Sequence, residues 1–482
     1  MVHCIPNPFR IIILGSGISG LSAAETVIKY SRVPCKVTLV ECEPRVGGWL
    51  QSKLYEDGSV FEHGPRSARS IGDTALQALN IMSDIGIGSK IIGIPRNKIT
   101  STRYIYANGK MNELPSSISS MLFRQDPFSR SIISVIAKEL FVEKNGTDDD
   151  ESIYSFFCRR FNKEIADYLA TSLCRGIFGG DANVLSMKSC FRQVFDFEKK
   201  YGSVTRGMFF SKSGNAESLS DLALKAKREK WISWTVQNGM QALPKYWADS
   251  LRLNGVQILL DTKCEKLSFS NEKVFCTTNS CVLEADAVIS SLPVCSLKSL
   301  LTEANSTLSS LLGSISFATM AVVNLEYVNE KVPFNGFGFL VPSNQPLNIL
   351  GMTFDSVALP HPTQHNSAIL TVMSGGAWFE EIFGNPNSCD ENMIIENSVK
   401  NVRDILGFRS MPRRVLCKIQ KNCIPQYYIG HDERVEQIKG CLKASGLPLL
   451  ITGTSWGGVG INDAIINSKN DALRWLASNH MY

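Results

Sequence analysis

The residues best placed to do chemistry crowd the start of the chain. Gly15, Gly17 and Gly20 follow an apolar run and precede a helix-like stretch in "IIILGSGISGLSAAETVIKY". The spacing suits a phosphate ligand. Gly15 permits a tight turn, Gly17 lets the backbone approach a pyrophosphate, and Gly20 lets the helix pack against its strand. Ser16, Ile18 and Ser19 complete the loop, and the helix start offers free N–H groups and a positive dipole end to an anion. Glu41 lies 21 residues past Gly20, at the end of the next strand-like segment, with Cys42 beside it. A carboxylate there accepts hydrogen bonds from ribose hydroxyls and disfavours a 2′-phosphate.

Positioning these groups requires a strand–helix–strand unit, read in "FRIIILG", "SGISGLSAAETVIKYS" and "CKVTLVECE". A helix-rich, aperiodic stretch covers about 104–204, broken by the polar loop "EKNGTDDDES". Strand-like segments return in "GVQILLDTKCEKLSFS" and "ADAVISSLP", and a mixed, alternating region spans about 312–424. The last strand, "LPLLITG", enters another glycine-rich turn and the helix "INDAIINSKNDALRWLA". First and last segments are alike in kind, which predicts one cofactor domain built from both chain ends with other domains inserted.

The 482 residues suffice for two or three domains, with 44% apolar and 20% charged residues. A net charge of +5 is too mild to argue for nucleic acid, and Lys225, Lys227, Arg228 and Lys230 read as a solvated helix face. The 14 cysteines form no CxxC and match no metal spacing, so they read as reduced, mostly buried thiols. His63, His361 and His431 form no metal or Ser–His–Asp pattern. No apolar run is long enough to span a membrane. The ten residues before Ile11 lack an apolar signal core and leave no room for a long cleaved presequence.

The next motif separates FAD from NAD. "ECEPRVGGWLQS" sets Arg45, Gly47 and Gly48 directly after the acid strand. It resembles the ExxxRxGG extension of the GG-motif flavoproteins, a group that includes amine oxidases and protoporphyrinogen oxidases. "FEHGPRSARS", "LCRGIFGGDANVLSMKSCF", "NGFGFLVPS", "KNCIPQYYIGH" and "ITGTSWGGVGINDAI" then resemble, in chain order, segments of the oxygen-dependent protoporphyrinogen oxidases.

The resemblance implies an α/β and α+β fold in three parts. A Rossmann-like FAD-binding domain takes 1–90, 231–294 and 425–482. A mixed-sheet substrate domain takes 91–103, 205–230 and 295–424. A helical, membrane-associating domain takes 104–204. It implies six-electron oxidation of protoporphyrinogen IX to protoporphyrin IX, with O2 reduced to H2O2, as the penultimate step of haem synthesis. FAD would contact Gly15, Ser16, Gly17, Ile18, Ser19, Gly20, Glu41 and Cys42. Arg45, Gly48 and Trp49 would follow, then Gly64, Pro65, Arg66 and Ser67, the backbone of Cys264, and Thr454, Val459, Gly460 and Ile461. Arg45 would add donors for the pyrophosphate. The final motif holds no cysteine, so FAD would be non-covalent.

For the substrate, Arg103 in "STRYIYANGKMNELP" matches the family position that pairs with a propionate, which an arginine can hold through two hydrogen bonds. Phe337 and Leu340 would pack on the macrocycle, Met373 would form a wall, and Gly176 would let the ring approach the flavin. No residue stands out as a general base, and His431 reads as structural. The segment 116–141 would lie on a membrane, the mitochondrial inner membrane in eukaryotic relatives or a bacterial peripheral site otherwise. A homodimer and a handover to ferrochelatase are expected by analogy. Amine and carotenoid oxidases are the nearest rivals, and Arg103 and "KNCIPQY" argue against them. A lipid carrier of the GDP-dissociation-inhibitor type is the non-enzymatic rival, opposed by Glu41, Arg45–Gly48 and the final motif. Asn238, where the family commonly has glycine, and Trp456 and Gly457 depart from its pattern.

Overall fold

The computed structural model describes residues 7–144, 149–211, 218–270, 272–301, 305–360 and 367–482. Its first sheet is wholly parallel. Strands Gln257–Leu259, Cys35–Val40, Phe9–Leu14, Ala287–Ser290 and Leu449–Ile451 lie side by side in that order. The apolar run at 11–14 reflects burial on both faces. Ile11 and Ile13 enter a core with helices Ile18–Tyr30, Ala242–Leu253 and Ile461–Ser478, while Ile12 and Leu14 enter a second core under the antiparallel sheet of Cys264–Ser270, Lys273–Thr278 and Val282–Ala285. Both chain ends therefore contribute to one sheet, with the glycine turns at the carboxyl ends of its strands.

The second sheet has seven strands, ordered Arg414–Pro425, Phe317–Val328, Ser367–Gly376, Gly351–Thr353, Gly338–Leu340, Tyr104–Ala107 and Lys110–Glu113. Alternation along each strand divides its two faces. Ala321, Val323, Leu325, Leu370, Val372 and Phe339 pack against helices Phe379–Phe383 and Glu391–Leu406. The opposite face carries Met320, Val322, Asn324, Thr371, Met373 and Leu340. On it runs one cross-strand row, Ile105, Leu340, Gly351, Met373, Val322 and Lys418.

Three expected boundaries move. Residues 104–113, placed with the helical part, form two strands of the seven-stranded sheet, because Tyr104 and Ile105 pair with Phe339 and Leu340. Strand Ile91–Pro95, placed with the substrate part, instead pairs with Trp231–Val236. Helix Asp221–Arg228 buries Leu222, Ala223 and Ala226 in the core beneath the parallel sheet, while its lysines stay exposed as expected.

Among the described residues no helix is long and apolar enough to cross a membrane. The helical part has a fully buried ion pair, Arg160 with Glu139, and the Glu139 carboxylate also accepts from Ser203 Oγ and from the N–H groups of Val204 and Thr205. This carboxylate pins the start of helix Val204–Phe210, whose far end leaves Met208, Phe209 and Phe210 at 70–80% exposure.

Candidate functional site

The site begins where the first strand stops. Gly15 adopts φ +91°, a conformation other residues rarely take. A Cβ at Gly20 would stand 2.0 Å from the Gly15 carbonyl oxygen, so helix and loop touch backbone to backbone. At Gly17 a Cβ would meet nothing within 4 Å, so the loop faces open space there. Gly17 is also the N-cap of helix Ile18–Tyr30, and no side chain caps it. Its first N–H groups remain available to an anion.

The second glycine turn lies against the first. Gly47 N donates to Ser16 O at 2.9 Å, Gly17 and Gly47 form a parallel bridge, and a Cβ at Gly48 would stand 3.3 Å from Gly17 Cα. Arg45 donates to the carbonyls of Gly48 at 2.8 Å and Leu50 at 3.3 Å, so it braces its own turn. The inward carbonyls of that turn need a donor, and a half-buried guanidinium supplies it.

Glu41 is buried. Its carboxylate accepts from Ser16 N at 2.8 Å, Ser16 Oγ at 2.6 Å and Glu43 N at 3.0 Å. Burial and the adjoining Glu41 charge push the Cys42 thiol up to about 11, so Cys42 stays protonated. Thr262 N donates to Glu41 O at 2.8 Å, which brings the Cys264 segment beside this strand end. The Cys264 sulfur accepts from the Cys276 thiol at 3.1 Å, a packing contact within its own sheet.

The segment 61–70 closes the other side. A Cβ at Gly64 would stand 2.2 Å from Trp49 O, so this segment and the second turn also meet through backbone. Trp49 and Pro65 are exposed, Ser67 is half-buried and Arg66 is buried. Arg66 Nε lies 3.6 Å from Asp355 Oδ1 and has no hydrogen-bond partner. Asp355 accepts from Thr353 Oγ1 at 2.7 Å and from Thr371 Oγ1. Beside it, burial raises the Glu62 carboxyl to about 7, although Ser52 Oγ and Met240 N both donate to it. Burial lowers His63 to about 4, and both its ring nitrogens lack partners.

At the carboxyl end, a Cβ at Gly453 would meet Ser19 Oγ at 3.6 Å, so the C-terminal turn abuts the first loop. Gly460 is the N-cap of helix Ile461–Ser478, again with no side-chain cap. Ile18, Val459 and Ile461 direct side chains into hydrophobic cores. Thr454 O accepts from Tyr427 Oη. The backbone departure at Asn238 is accommodated, since Asn238 adopts φ +68°, a conformation asparagine tolerates.

The residues expected at the substrate fall into two groups at opposite ends of strand Gly338–Leu340. At its start, the Arg103 guanidinium stacks over Phe337 at 5.0 Å, and its Nη1 donates to the Thr100 and Thr102 carbonyls at 2.6 and 3.1 Å. Among the described residues it has no acidic partner. At its end, Leu340 meets Gly176, where a Cβ would stand 2.7 Å from Leu340 Cδ2. Met373 is in the same row, one strand beyond Gly351. Leu173 and Ile177, on the same helix as Gly176, are exposed. His361 lies outside the described residues.

Several residues escaped the sequence reading. Ser291 Oγ donates to Leu14 O at 2.9 Å and Gly15 O at 3.2 Å, holding the loop from the next strand. Asn462 Nδ2 donates to Arg69 O at 2.8 Å while its Oδ1 has no partner. Asn324, in strand Phe317–Val328, and Asp355, at the start of helix Asp355–Ala358, lie far from the glycine motifs in sequence, and nothing local marks them.

The site fits FAD on two counts. Paired glycine turns and an uncapped helix start suit a pyrophosphate. Buried polar groups are ordinarily paired, yet Arg66 Nε, the His63 nitrogens, Asn324 Oδ1 and Asn462 Oδ1 have no partners.

This fold and site define a flavoprotein oxidoreductase, and the chain belongs to the family of flavin containing amine oxidoreductases, whose model matches residues 18–472. Within it, the chain is 34% identical to protoporphyrinogen oxidase of Homo sapiens, over 97% of this chain and 98% of that protein. It is 28% identical to coproporphyrinogen III oxidase of Bacillus subtilis, over 97% and 99%. In fold it resembles a solved structure from Exiguobacterium sp. 255-15, with TM-score 0.79 and 20% identity over 97% and 98% of the two chains.

Replacing Gly17 and Gly20 separates ligand from fold. Gly17→Val leaves a folded protein, because its side chain enters open space, but one purified without bound flavin. Gly20→Val meets backbone and does not yield soluble protein. Flavin absorbance and circular dichroism read both outcomes, and a folded Gly17→Val variant that stays yellow contradicts the assignment.

Proposed function

We propose that this chain is an FAD-dependent oxidase that converts protoporphyrinogen IX to protoporphyrin IX, with O2 as acceptor and H2O2 released. The observation that carries this reading is the second face of the seven-stranded sheet, where half-buried Leu340 and Met373 stand beside buried Val322, bordered by an arginine with no acidic partner among the described residues, beside a dinucleotide cradle. The full-length relationship to protoporphyrinogen oxidases supports it.

Bound non-covalently, FAD supplies the acceptor for hydride taken from the macrocycle. The protein's own groups bind and orient. The N–H groups after Gly17 would hold the pyrophosphate, and Glu41 would receive the ribose. The start of helix Ile461–Ser478 would stabilise negative charge near the ring system. Arg66, with Asp355 behind it, presents a buried cation to the same region. Leu340, Met373 and Val322 offer an apolar bed, with Gly176 narrowing one end and Arg103 at the other pairing with a propionate. Position matters more here than acid–base strength.

A membrane surface fits the helical part. Phe123, Phe141, Met208, Phe209 and Phe210 are each 70–85% exposed, and such apolar groups favour a lipid interface. The expected segment 116–141 supplies only some of them, since 208–210 lies beyond it. A peripheral place on the mitochondrial inner membrane, a dimer and a ferrochelatase contact rest on the family resemblance alone.

Arg103→Ala is expected to raise KM for protoporphyrinogen IX about tenfold or more, the loss of one charge-assisted hydrogen bond, with FAD retained. The dimethyl ester should be used equally well by both proteins. An unchanged KM refutes the propionate contact. Phe209→Glu with Phe210→Glu should lower co-sedimentation with phospholipid vesicles at unchanged flavin content. Equal co-sedimentation removes the patch from the interface.

A further inference from the structure

The segment "PQYYIGH" has a specific sequence but no part so far in binding or chemistry. The structure shows where it lies. Strand Arg414–Pro425 ends the seven-stranded sheet, and the next residues reach two other places at once. Gln426 Nε2 donates at 2.9 Å to Phe178 O, the last carbonyl of helix Thr171–Phe178, which carries Gly176. That carbonyl has no partner within the helix. Tyr427 is wholly buried, stacks on His431 at 4.2 Å, and donates its hydroxyl to Thr454 O in the C-terminal turn. The phenol thus holds, at Thr454, the turn that precedes helix Ile461–Ser478.

We propose that Gln426 and Tyr427 are paired positioning residues. Gln426 sets the helix bearing Gly176 against Leu340, and Tyr427 sets the C-terminal turn that borders the flavin. Because they are adjacent on one rigid strand end, the substrate wall and the flavin turn share one reference point. A trans peptide is planar, so a Thr454 carbonyl held toward Tyr427 turns the Ser455 N–H to the other side. Losing that hold lets the turn rotate and misplaces its donors. This inference rests on the substrate reading above for Gln426, but for Tyr427 only on flavin binding.

The test compares Tyr427→Phe and Gln426→Leu in the FAD-loaded protein. Both replacements keep near-native volume. Tyr427→Phe should weaken FAD binding about tenfold and shift the visible flavin band and midpoint potential, with KM for protoporphyrinogen IX unchanged. Gln426→Leu should raise that KM severalfold and leave the flavin band, potential and FAD affinity unchanged. A merely structural role lowers the melting temperature of both without this split, and that result overturns the proposal, as does a native spectrum and FAD affinity in folded Tyr427→Phe. Absent turnover in the parent protein defeats the substrate reading alone, since the flavin measurements on Tyr427→Phe need no substrate.

Discussion

Backbone meeting backbone is the constraint on which the rest depends. Gly20 lies against the Gly15 carbonyl, Gly48 against Gly17, and Gly64 against the Trp49 carbonyl. The Gly20 and Gly64 approaches leave no room for a side chain, and Gly48 adds a positive φ of +54° to a close contact. Together they draw three separate turns to the carboxyl edge of one parallel sheet, the usual ligand position in such sheets. They also keep the start of helix Ile18–Tyr30 uncapped, with its positive end toward open space. Among Gly15, Gly17, Gly20, Gly47, Gly48 and Gly64, Gly17 alone has free volume before it, which marks the side from which a ligand arrives.

The second sheet answers a different requirement. One face is closed by helices and is mainly apolar. The other carries a mixture that would be poor core: Asn324 and Thr371, the latter bonded to Asp355 of the helix Asp355–Ala358, beside Leu340, Met373 and Met320. Polar groups on a buried face need partners, and here they find them across the domain boundary. Asn324 Nδ2 donates to Glu62 O at 3.1 Å and to Thr371 Oγ1 at 2.8 Å, and Gln420 Nε2 donates to His63 O at 3.1 Å. These bonds tie the sheet to the segment holding Arg66, so cofactor side and substrate side are joined by directed contacts.

Much of the cofactor half was legible in the sequence because its signals are local. A glycine spacing, a strand before it and an acid after it occupy one short stretch, and the repeat of that pattern near the end of the chain identified the sheet's last strand. What escaped depends on distant pairing. Tyr104 and Ile105 read as the edge of a helical region because their partners, Phe339 and Leu340, come more than two hundred residues later. Asp355 looked like any acid after a short strand until folding set it beside Arg66. Arg45 shows a further role that its type and place do not announce, since it donates to the carbonyls of its own tight turn. His431 was read as structural, and the structure makes it the stacking partner of the tyrosine that holds Thr454.

The most direct measurement is the growth of porphyrin fluorescence when purified protein is added to protoporphyrinogen IX in air, against a no-enzyme control for spontaneous oxidation, with peroxide followed in parallel. The account predicts a yellow protein, rapid fluorescence growth and peroxide release. A yellow, folded protein that leaves the rate at the control value would keep the flavin site and contradict the substrate.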